Sequence, residues 1–215
     1  MDFLPTVPVL GAYLAAVLVI TFTPGPDMTL FLGKAVRQGT ASGMAALLGA
    51  STGVLVHTTL VAIGLSALLA ASATAFLILK LVGALYLLWL AVEAVQHGSA
   101  FNLDAGKPLS AREPLLKTWL QGLIVNLLNP KIIMFFVTFL PQFVAADDPF
   151  AAQKLVFLGL YFIAFSTPLA ALMILGAERV IALLRDYPKV MRAIDYSFAA
   201  LFGAFAVKIL TTQGR

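Results

Sequence analysis

The sequence predicts an all-α integral membrane protein with six transmembrane helices, arranged as two inverted three-helix repeats in which helices one and four are broken. Of its 215 residues, 61% are hydrophobic and 11% are charged, and the mean hydropathy is +0.98. Soluble domains average roughly 45–50% apolar and roughly 25% charged residues, so no separate soluble domain is expected. Six apolar runs approach or exceed the ~20 residues that cross a bilayer. They cover approximately residues 7–33, 41–69, 73–95, 117–143, 154–177 and 194–212.

The basic residues predict the orientation of these helices. Those that follow predicted helices one, three and five are Lys34, Arg37, Lys107, Arg112, Lys117, Arg179, Arg185, Lys189 and Arg192. The opposite connections hold almost none, so the positive-inside rule places the basic connections in the cytoplasm and both termini outside. Three helices per half make the second half enter the membrane from the opposite face. We therefore divide one transmembrane domain, residues 1–215, into repeat one (about 1–97), a cytoplasmic loop (about 98–116) and repeat two (about 117–215).

Other features of the composition exclude several classes of protein. Cysteine is absent, which excludes disulfides, thiolate metal sites and thiol redox relays. The net charge of +4 resides in short connections between apolar runs, so it indicates topology and not a nucleic-acid partner. The first apolar run leads into prolines and lacks a small-residue cleavage site, so we expect a retained helix and not a signal peptide.

Two proline motifs interrupt predicted helices one and four. The first break is Thr23-Pro24-Gly25-Pro26-Asp27, and the second break is Asn126-Leu127-Leu128-Asn129-Pro130-Lys131. Proline fits the first turn of a helix better than its interior, so each motif is expected to end one half-helix and begin another, with Thr23 or Asn129 as the capping side chain. The new N-terminus offers amide donors to a carboxylate, and the preceding carbonyls suit an ammonium or a cation. Paired breaks in corresponding segments indicate the binding site of a secondary transporter, here for a zwitterion such as an amino acid.

Each break also carries one charge, and a charge at membrane depth needs a partner or a watery cavity. The functional hypothesis is that Asp27 binds a substrate ammonium or carries a coupling proton, while Lys131 attracts a carboxylate. Two structural alternatives remain open: a direct Asp27–Lys131 ion pair, or a Lys131 side chain that extends outward to the interface.

Four further residues are candidates: His57 for proton coupling, and Lys80, Thr167 and Pro168 as secondary candidates for the pathway. His57, near the centre of helix two, is either a proton relay or a neutral imidazole bonded between helices, and no carboxylate stands at metal-site spacing from it. Lys80 in helix three is either part of the pathway or extended to the outer interface. Thr167 and Pro168 predict a kink in helix five that either shapes a cavity or is passive. No metal ion or cofactor is predicted.

Several sequence fragments, in order, resemble the LysE/RhtB family of bacterial amino-acid exporters. They are Thr23-Pro24-Gly25-Pro26-Asp27; Gly49, Gly53, His57 and Gly64-Leu65; Lys80-Leu81-Val82-Gly83-Ala84-Leu85-Tyr86-Leu87; and Asn129-Pro130-Lys131 followed by Phe135-Phe136 and Leu140-Pro141-Gln142-Phe143. The resemblance implies a six-helix exporter of the bacterial inner membrane, driven by the proton gradient and dimeric or otherwise oligomeric.

The substrate expected from the resemblance is an amino acid. Because Asp27 is nearly the only acidic side chain at membrane depth, we favour a neutral amino acid over a dibasic one. Export of another small solute or of a metal cation is the alternative, although a cation site needs several converging carboxylates or histidines. An enzyme is not expected, since no nucleophile–base grouping or metal-binding motif falls within the predicted helices.

Overall fold

The computed structural model describes residues 4–96, 113–145 and 148–212, and these residues form helices without β-strands. The predicted cytoplasmic loop therefore lies largely outside the described residues. The helices are α1 (Val7–Phe22), α2 (Pro26–Gln38), α3 (Thr40–Ala71), α4 (Ala73–Gln96), α5 (Leu115–Leu127), α6 (Pro130–Met134), α7 (Ala151–Leu175), α8 (Ala177–Asp186) and α9 (Pro188–Thr212). A π-helical turn (Phe135–Phe139) and a 3-10 turn (Leu140–Phe143) continue α6.

The spans follow the prediction closely. Helices α3, α4, α7 and α9 are each long and apolar enough to cross a membrane. The pair α1–α2 bends by 53°, and the pair formed by α5 and the segment from α6 to the 3-10 turn bends by 52°. Counting each bent pair as one span gives six, which confirms the all-α membrane fold with broken helices one and four. The division into repeats stays a prediction, although near-equal bends at corresponding positions are what it requires.

Proline determines where both pairs bend. Thr23 and Gly25 each precede a proline and are extended, with φ/ψ of −71°/119° and −174°/−176°. Asn129 precedes Pro130 and has φ/ψ of −72°/110°. The proline ring disfavours helical backbone at the residue before it, so the chain must leave the helix at these positions.

One helix was absent from the prediction. The connection between predicted helices five and six was expected to be a basic loop, but it contains α8, and α9 begins at Pro188 instead of near residue 194. Ile181 and Leu184 on α8 are buried at helical spacing, while Arg179 and Arg185 are exposed. A ten-residue helix with a charged face is too short and too polar to appear as a membrane span, so a search for apolar runs does not find it.

Helices α3 and α5 meet backbone to backbone. A Cβ atom at Gly49 would collide with the main chain of Trp119, and one at Gly122 would collide with the carbonyl of Ala46. Small residues allow such close approach between membrane helices. These contacts join the first half and middle of α5 to the first third of α3. Asn126, at the second break, packs against the part of α3 that follows.

Aromatic rings fill the region on one side of the breaks. The aromatic cluster, as we call it, consists of Tyr13, Phe135, Phe136, Phe139, Phe143, Phe162 and Phe202. Neighbouring ring centroids lie 4.9–6.2 Å apart. Such rings contribute through burial and through edge-to-face or tilted contact, and they leave little space for water.

A polar contact joins α2 to the start of α5 at the opposite end of the bundle. The Glu113 carboxylate accepts hydrogen bonds from the Lys34 ammonium (3.2 Å) and the Gln121 amide (3.1 Å), and it forms an ion pair with Lys117 (3.4 Å). The Glu113 amide donates to the side chain of Gln38 at 3.3 Å. Basic residues after predicted helix one and before predicted helix four thus lie together, as the predicted topology requires.

Glu113→Gln is expected to reduce stability modestly and only at higher pH. The hydrogen bond from Lys34, supported by the charges of Lys34 and Lys117, holds the pKa of the Glu113 carboxyl below its usual range. A lowered folded-state pKa contributes stability above the unfolded-state pKa, and this contribution disappears as the pH falls through the folded-state pKa. Thermal unfolding in detergent should therefore separate variant from wild type near neutral pH, and the two curves should converge in acid.

Glu178→Gln is the matched control, because Glu178 is an exposed carboxylate on α8. Near neutral pH its unfolding curve should lie closer to that of the wild type than the curve of Glu113→Gln does. A Glu113→Gln variant with unchanged stability near neutral pH would show that the contact between α2 and α5 contributes nothing.

Candidate functional site

The two breaks lie against each other inside the bundle. Asp27, in the first turn of α2, accepts hydrogen bonds at Oδ2 from the side-chain amides of Asn126 (2.8 Å) and Asn129 (3.0 Å). Both asparagines are about 1% exposed. The acidic residue of the first break is therefore bound by the amides of the second.

Lys131 makes the reciprocal contact. Its ammonium donates to the carbonyl of Ile20 at 3.1 Å and to that of Thr23 at 2.6 Å, both at the end of α1. In an unbroken helix the Ile20 carbonyl would accept from residue 24, but Pro24 has no N–H. The basic residue of the second break thus replaces the donor that proline removed from the first.

These contacts decide the structural alternatives. The ion pairs of the described residues do not include Asp27 with Lys131, and the Lys131 side chain points into the first break instead of outward to the interface. Both structural alternatives for this pair are therefore wrong. Each charge is bound by uncharged polar groups of the opposite break.

The capping prediction is correct at one break and wrong at the other. Asn129 caps α6, since its Oδ1 accepts from the Lys131 amide at 3.0 Å. Thr23 does not cap α2, because it ends α1 and its hydroxyl donates back to the carbonyl of Val19 at 2.7 Å. The N-cap of α2 is Gly25, which has no side chain to offer.

His57 contacts the second break from α3. Its Nε2 lies 3.4 Å from the carbonyl of Asn126. Pro130 has no N–H to donate to this carbonyl, which accepts instead from the Asn129 amide at 3.0 Å, so the histidine is a second and longer contact. The imidazole also stacks on Phe136, with ring centroids 5.9 Å apart. His57 therefore makes the interhelical hydrogen bond expected for its structural alternative, and its role as a proton relay stays a prediction.

A small cavity adjoins the two breaks. Its volume is about 70 Å³, and it lies between α1, α2, α3, α5, α6 and α7. Its polar lining residues are Thr21, Asp27, Ser51, Asn126, Lys131, Ser166 and Thr167. Phe162 of the aromatic cluster lines it on one side, and Phe31 and Leu47 are among its apolar lining residues.

The predicted site residues divide into two sets. Those that line the cavity are Asp27, Asn126, Lys131 and Thr167. Those that do not line the cavity are Thr23, Pro24, Gly25, Pro26, His57, Asn129 and Pro130. Pro168 is exposed on the far side of α7, and the side chain of Lys80 lies outside the described residues.

Thr21, Ser51 and Ser166 were not predicted to belong to the site. A signal for Ser51 was available, because it stands at helical spacing from Leu47 and Val54 on the face of α3 that leads to His57. Small hydroxyl residues are common in membrane helices, however, and the spacing alone does not say which helix that face contacts.

Two acceptor oxygens of the site are buried without partners among the described residues. They are Oδ1 of Asp27 and Oδ1 of Asn126. The Asn126 side chain occupies the space that a Cβ atom at Gly53 would fill. A buried acceptor that lacks a donor is costly, so this pair favours a ligand that carries N–H groups. In the part of the chain that is described, no three His, Asp or Glu residues group as a metal site would require.

The arrangement agrees with what sequence comparison finds. The family described as "LysE type translocator" matches residues 18–213. The chain belongs to the LysE family. The predicted membership of this family is thereby confirmed.

Individual bacterial proteins are also similar to this chain over most of their length. The chain is 32% identical to the homoserine/homoserine lactone efflux protein of Salmonella typhimurium over 191 residues, covering 89% of this chain and 90% of that protein. It is 28% identical to the threonine efflux protein of Salmonella typhi over 91% of this chain and 94% of that protein. It is 28% identical to an uncharacterized membrane protein of Vibrio cholerae over 94% of this chain and 96% of that protein. No solved structure matches the chain.

Proposed function

We propose that this LysE-family protein exports a small neutral amino acid from the cytoplasm in exchange for protons. The observation that carries the proposal is the pair of unpartnered acceptor oxygens, on Asp27 and Asn126, where two bent helices meet beside a cavity. Relatives named as efflux proteins for homoserine and threonine support an amino acid as the transported solute.

The α-ammonium of the substrate would bind at Asp27 and Asn126. An ammonium supplies three N–H donors and a positive charge, which matches one carboxylate oxygen and one amide oxygen that lack donors. The remaining oxygen of Asp27 is already bound by the asparagine amides, so the carboxylate is fixed in place before a substrate arrives.

The α-carboxylate would bind near the start of α2. Gly25 leaves the first-turn amides of α2 without a side-chain cap, and such amides, with the positive end of the helix dipole, attract anions. The Lys131 ammonium lies close by, since a Cβ atom at Gly25 would be 3.1 Å from its Nζ. Because carbonyl groups and not a carboxylate hold Lys131, its positive charge remains available to attract the substrate.

The lining also favours a neutral side chain. Asp27 is the one acidic residue among the lining residues described, and it is assigned to the α-ammonium. A second cationic group, as in a dibasic amino acid, would find no carboxylate in the cavity and would be left uncompensated.

The cavity must enlarge for transport. Its volume of about 70 Å³ is well below the ~300–1,000 Å³ of typical ligand sites, so the helices that line it must separate to admit a substrate. In the predicted orientation the aromatic cluster lies on the extracytoplasmic side and closes that exit. We propose that alternating access opens this side by moving the π-helical and 3-10 turns that follow α6.

Proton coupling would follow from competition at Asp27. A substrate ammonium and a proton neutralise the same carboxylate, so release of one outside would be balanced by uptake of the other. His57 is the next titratable group, reached through Asn126, and we propose it as the relay.

The remaining topology and assembly also stay proposals. We propose that the end carrying Glu113 faces the cytoplasm, that both termini are extracytoplasmic, and that the protein is a homo-oligomer in the bacterial inner membrane.

Efflux from proteoliposomes tests the proposal. Vesicles loaded in turn with radiolabelled neutral, acidic and dibasic amino acids are followed with and without an imposed proton gradient. Neutral amino acids should leave fastest, and the gradient should accelerate them. Equal, gradient-independent leakage of every amino acid would refute amino-acid export.

A further inference from the structure

Ser51 and Thr167 form a hydroxyl pair across the cavity-facing surfaces of α3 and α7. Their Oγ and Oγ1 atoms lie 2.9 Å apart, and either can be the donor. Both residues line the cavity that contains Asp27 and Asn126. The pair thus belongs to the same cavity as the groups assigned to the ammonium, but it lies on different helices.

The bonding of this pair differs from that of neighbouring hydroxyls. Thr52, Thr58 and Thr59, also on α3, each donate to the carbonyl four residues earlier, at 2.8–2.9 Å. Such bonds use the single O–H hydrogen of the side chain within its own helix. Ser51 and Thr167 instead bond to each other, and no other bond to either hydroxyl occurs among the described residues.

An unused hydrogen-bonding capacity follows from this geometry. When one hydroxyl of the pair donates to the other, the O–H of the second still needs an acceptor, and lone pairs on both oxygens need donors. Among the described residues neither hydroxyl has a further partner, and the neighbouring side chains of Phe31, Leu47 and Ala170 in the lining are apolar. A ligand in the cavity can supply both, through a group that donates and accepts.

We propose that Ser51 and Thr167 form the side-chain subsite of the transporter and select a substrate whose short side chain carries a hydroxyl. This inference rests on the proposed function, because the α-ammonium and α-carboxylate must already be bound by the breaks. A site built to hydrogen-bond a hydroxyl discriminates strongly against an analogue without it, since its own polar groups are then left unpaired. The apolar neighbours limit the size of the side chain without distinguishing its polarity.

Competition between threonine and valine tests the subsite, because the two amino acids have nearly the same shape and differ in one hydroxyl. Wild-type protein in proteoliposomes should export threonine in preference to valine. Thr167→Val and Ser51→Ala should each reduce that preference by roughly 3- to 10-fold, as expected for the loss of one hydrogen bond. Thr167→Ser retains the hydroxyl and should restore most of the preference.

Thr52→Val is the matched control, because it removes a hydroxyl one residue from Ser51 that is bound to its own helix and does not line the cavity. The preference of this variant for threonine over valine should equal that of the wild type. If amino acids are exported but the preference for threonine is absent, or survives both Thr167→Val and Ser51→Ala, the subsite is refuted and the proposed function stands. If the wild type exports no amino acid, the proposed function itself fails.

Discussion

Asp27→Asn is expected to reduce amino-acid efflux by roughly 10- to 100-fold and to remove its response to a proton gradient. The substitution preserves the size of the side chain but removes the charge that would hold the substrate ammonium, and bonds to charged groups contribute about 1.5–3 kcal/mol each. It also removes the only acidic group in the described lining that can exchange a proton. Radiolabelled efflux from proteoliposomes, with and without an imposed gradient, measures both effects.

Two control variants separate this effect from misfolding. Asp27→Glu keeps the charge but displaces the carboxylate from the amides of Asn126 and Asn129, so it should retain gradient dependence at a reduced rate. Asp148→Asn removes a carboxylate that precedes α7, pairs with Lys154 and does not line the cavity, so this variant should transport like the wild type. Gradient-dependent efflux at the wild-type rate from Asp27→Asn would remove Asp27 from both binding and coupling.

Gly122→Ala is expected to destabilise the protein by about 1–3 kcal/mol, although the change adds a single methyl group. The new Cβ would collide with the carbonyl of Ala46, which is backbone and cannot rotate away, so α3 and α5 would have to separate. That separation would also displace the second break, because it begins four residues after Gly122. Heat-induced aggregation of detergent-solubilised protein measures the loss, and a decrease in efflux should accompany it.

Gly64→Ala, on α3, is expected not to destabilise the protein. A Cβ atom at Gly64 would meet no atom within 4 Å, and alanine is favoured over glycine in a helix by up to about 1 kcal/mol. This variant should therefore match or exceed the wild type in thermal stability. If the two alanine variants behave alike, close contact between α3 and α5 is not a source of stability.

The spans and their breaks could be predicted because both depend on local chemistry. Apolar runs long enough to cross a bilayer identify helices without knowledge of their neighbours. Proline removes one donor and restricts the preceding residue wherever it occurs, so the bends near Pro24 and Pro130 follow from the sequence itself. The amphipathic helix α8 escaped prediction because its stability depends on packing of Ile181 and Leu184 and not on hydrophobicity alone.

The partners of the site residues could not be predicted, because they come from other helices. The sequence identified Lys131 as a charge that needs a partner, but opposite charge suggested Asp27, whereas the fold supplies the carbonyls of Ile20 and Thr23. A carbonyl freed by proline has no signature of its own until another helix approaches it. Ser51 was overlooked for the same reason, since a serine in a membrane helix becomes part of a site only through the helix it faces.

By itself, the sequence determined that the chain is a membrane protein, that two of its helices break at proline, and that one charge accompanies each break. The tertiary structure decided that these charges bind across the breaks, Asp27 to amides and Lys131 to carbonyls, and that acceptor oxygens of Asp27 and Asn126 remain for a ligand. The physical reason is the distance along the chain over which each effect acts. Hydropathy and proline act within a few residues of chain, whereas a buried polar atom is satisfied by whichever group packing brings within about 3 Å.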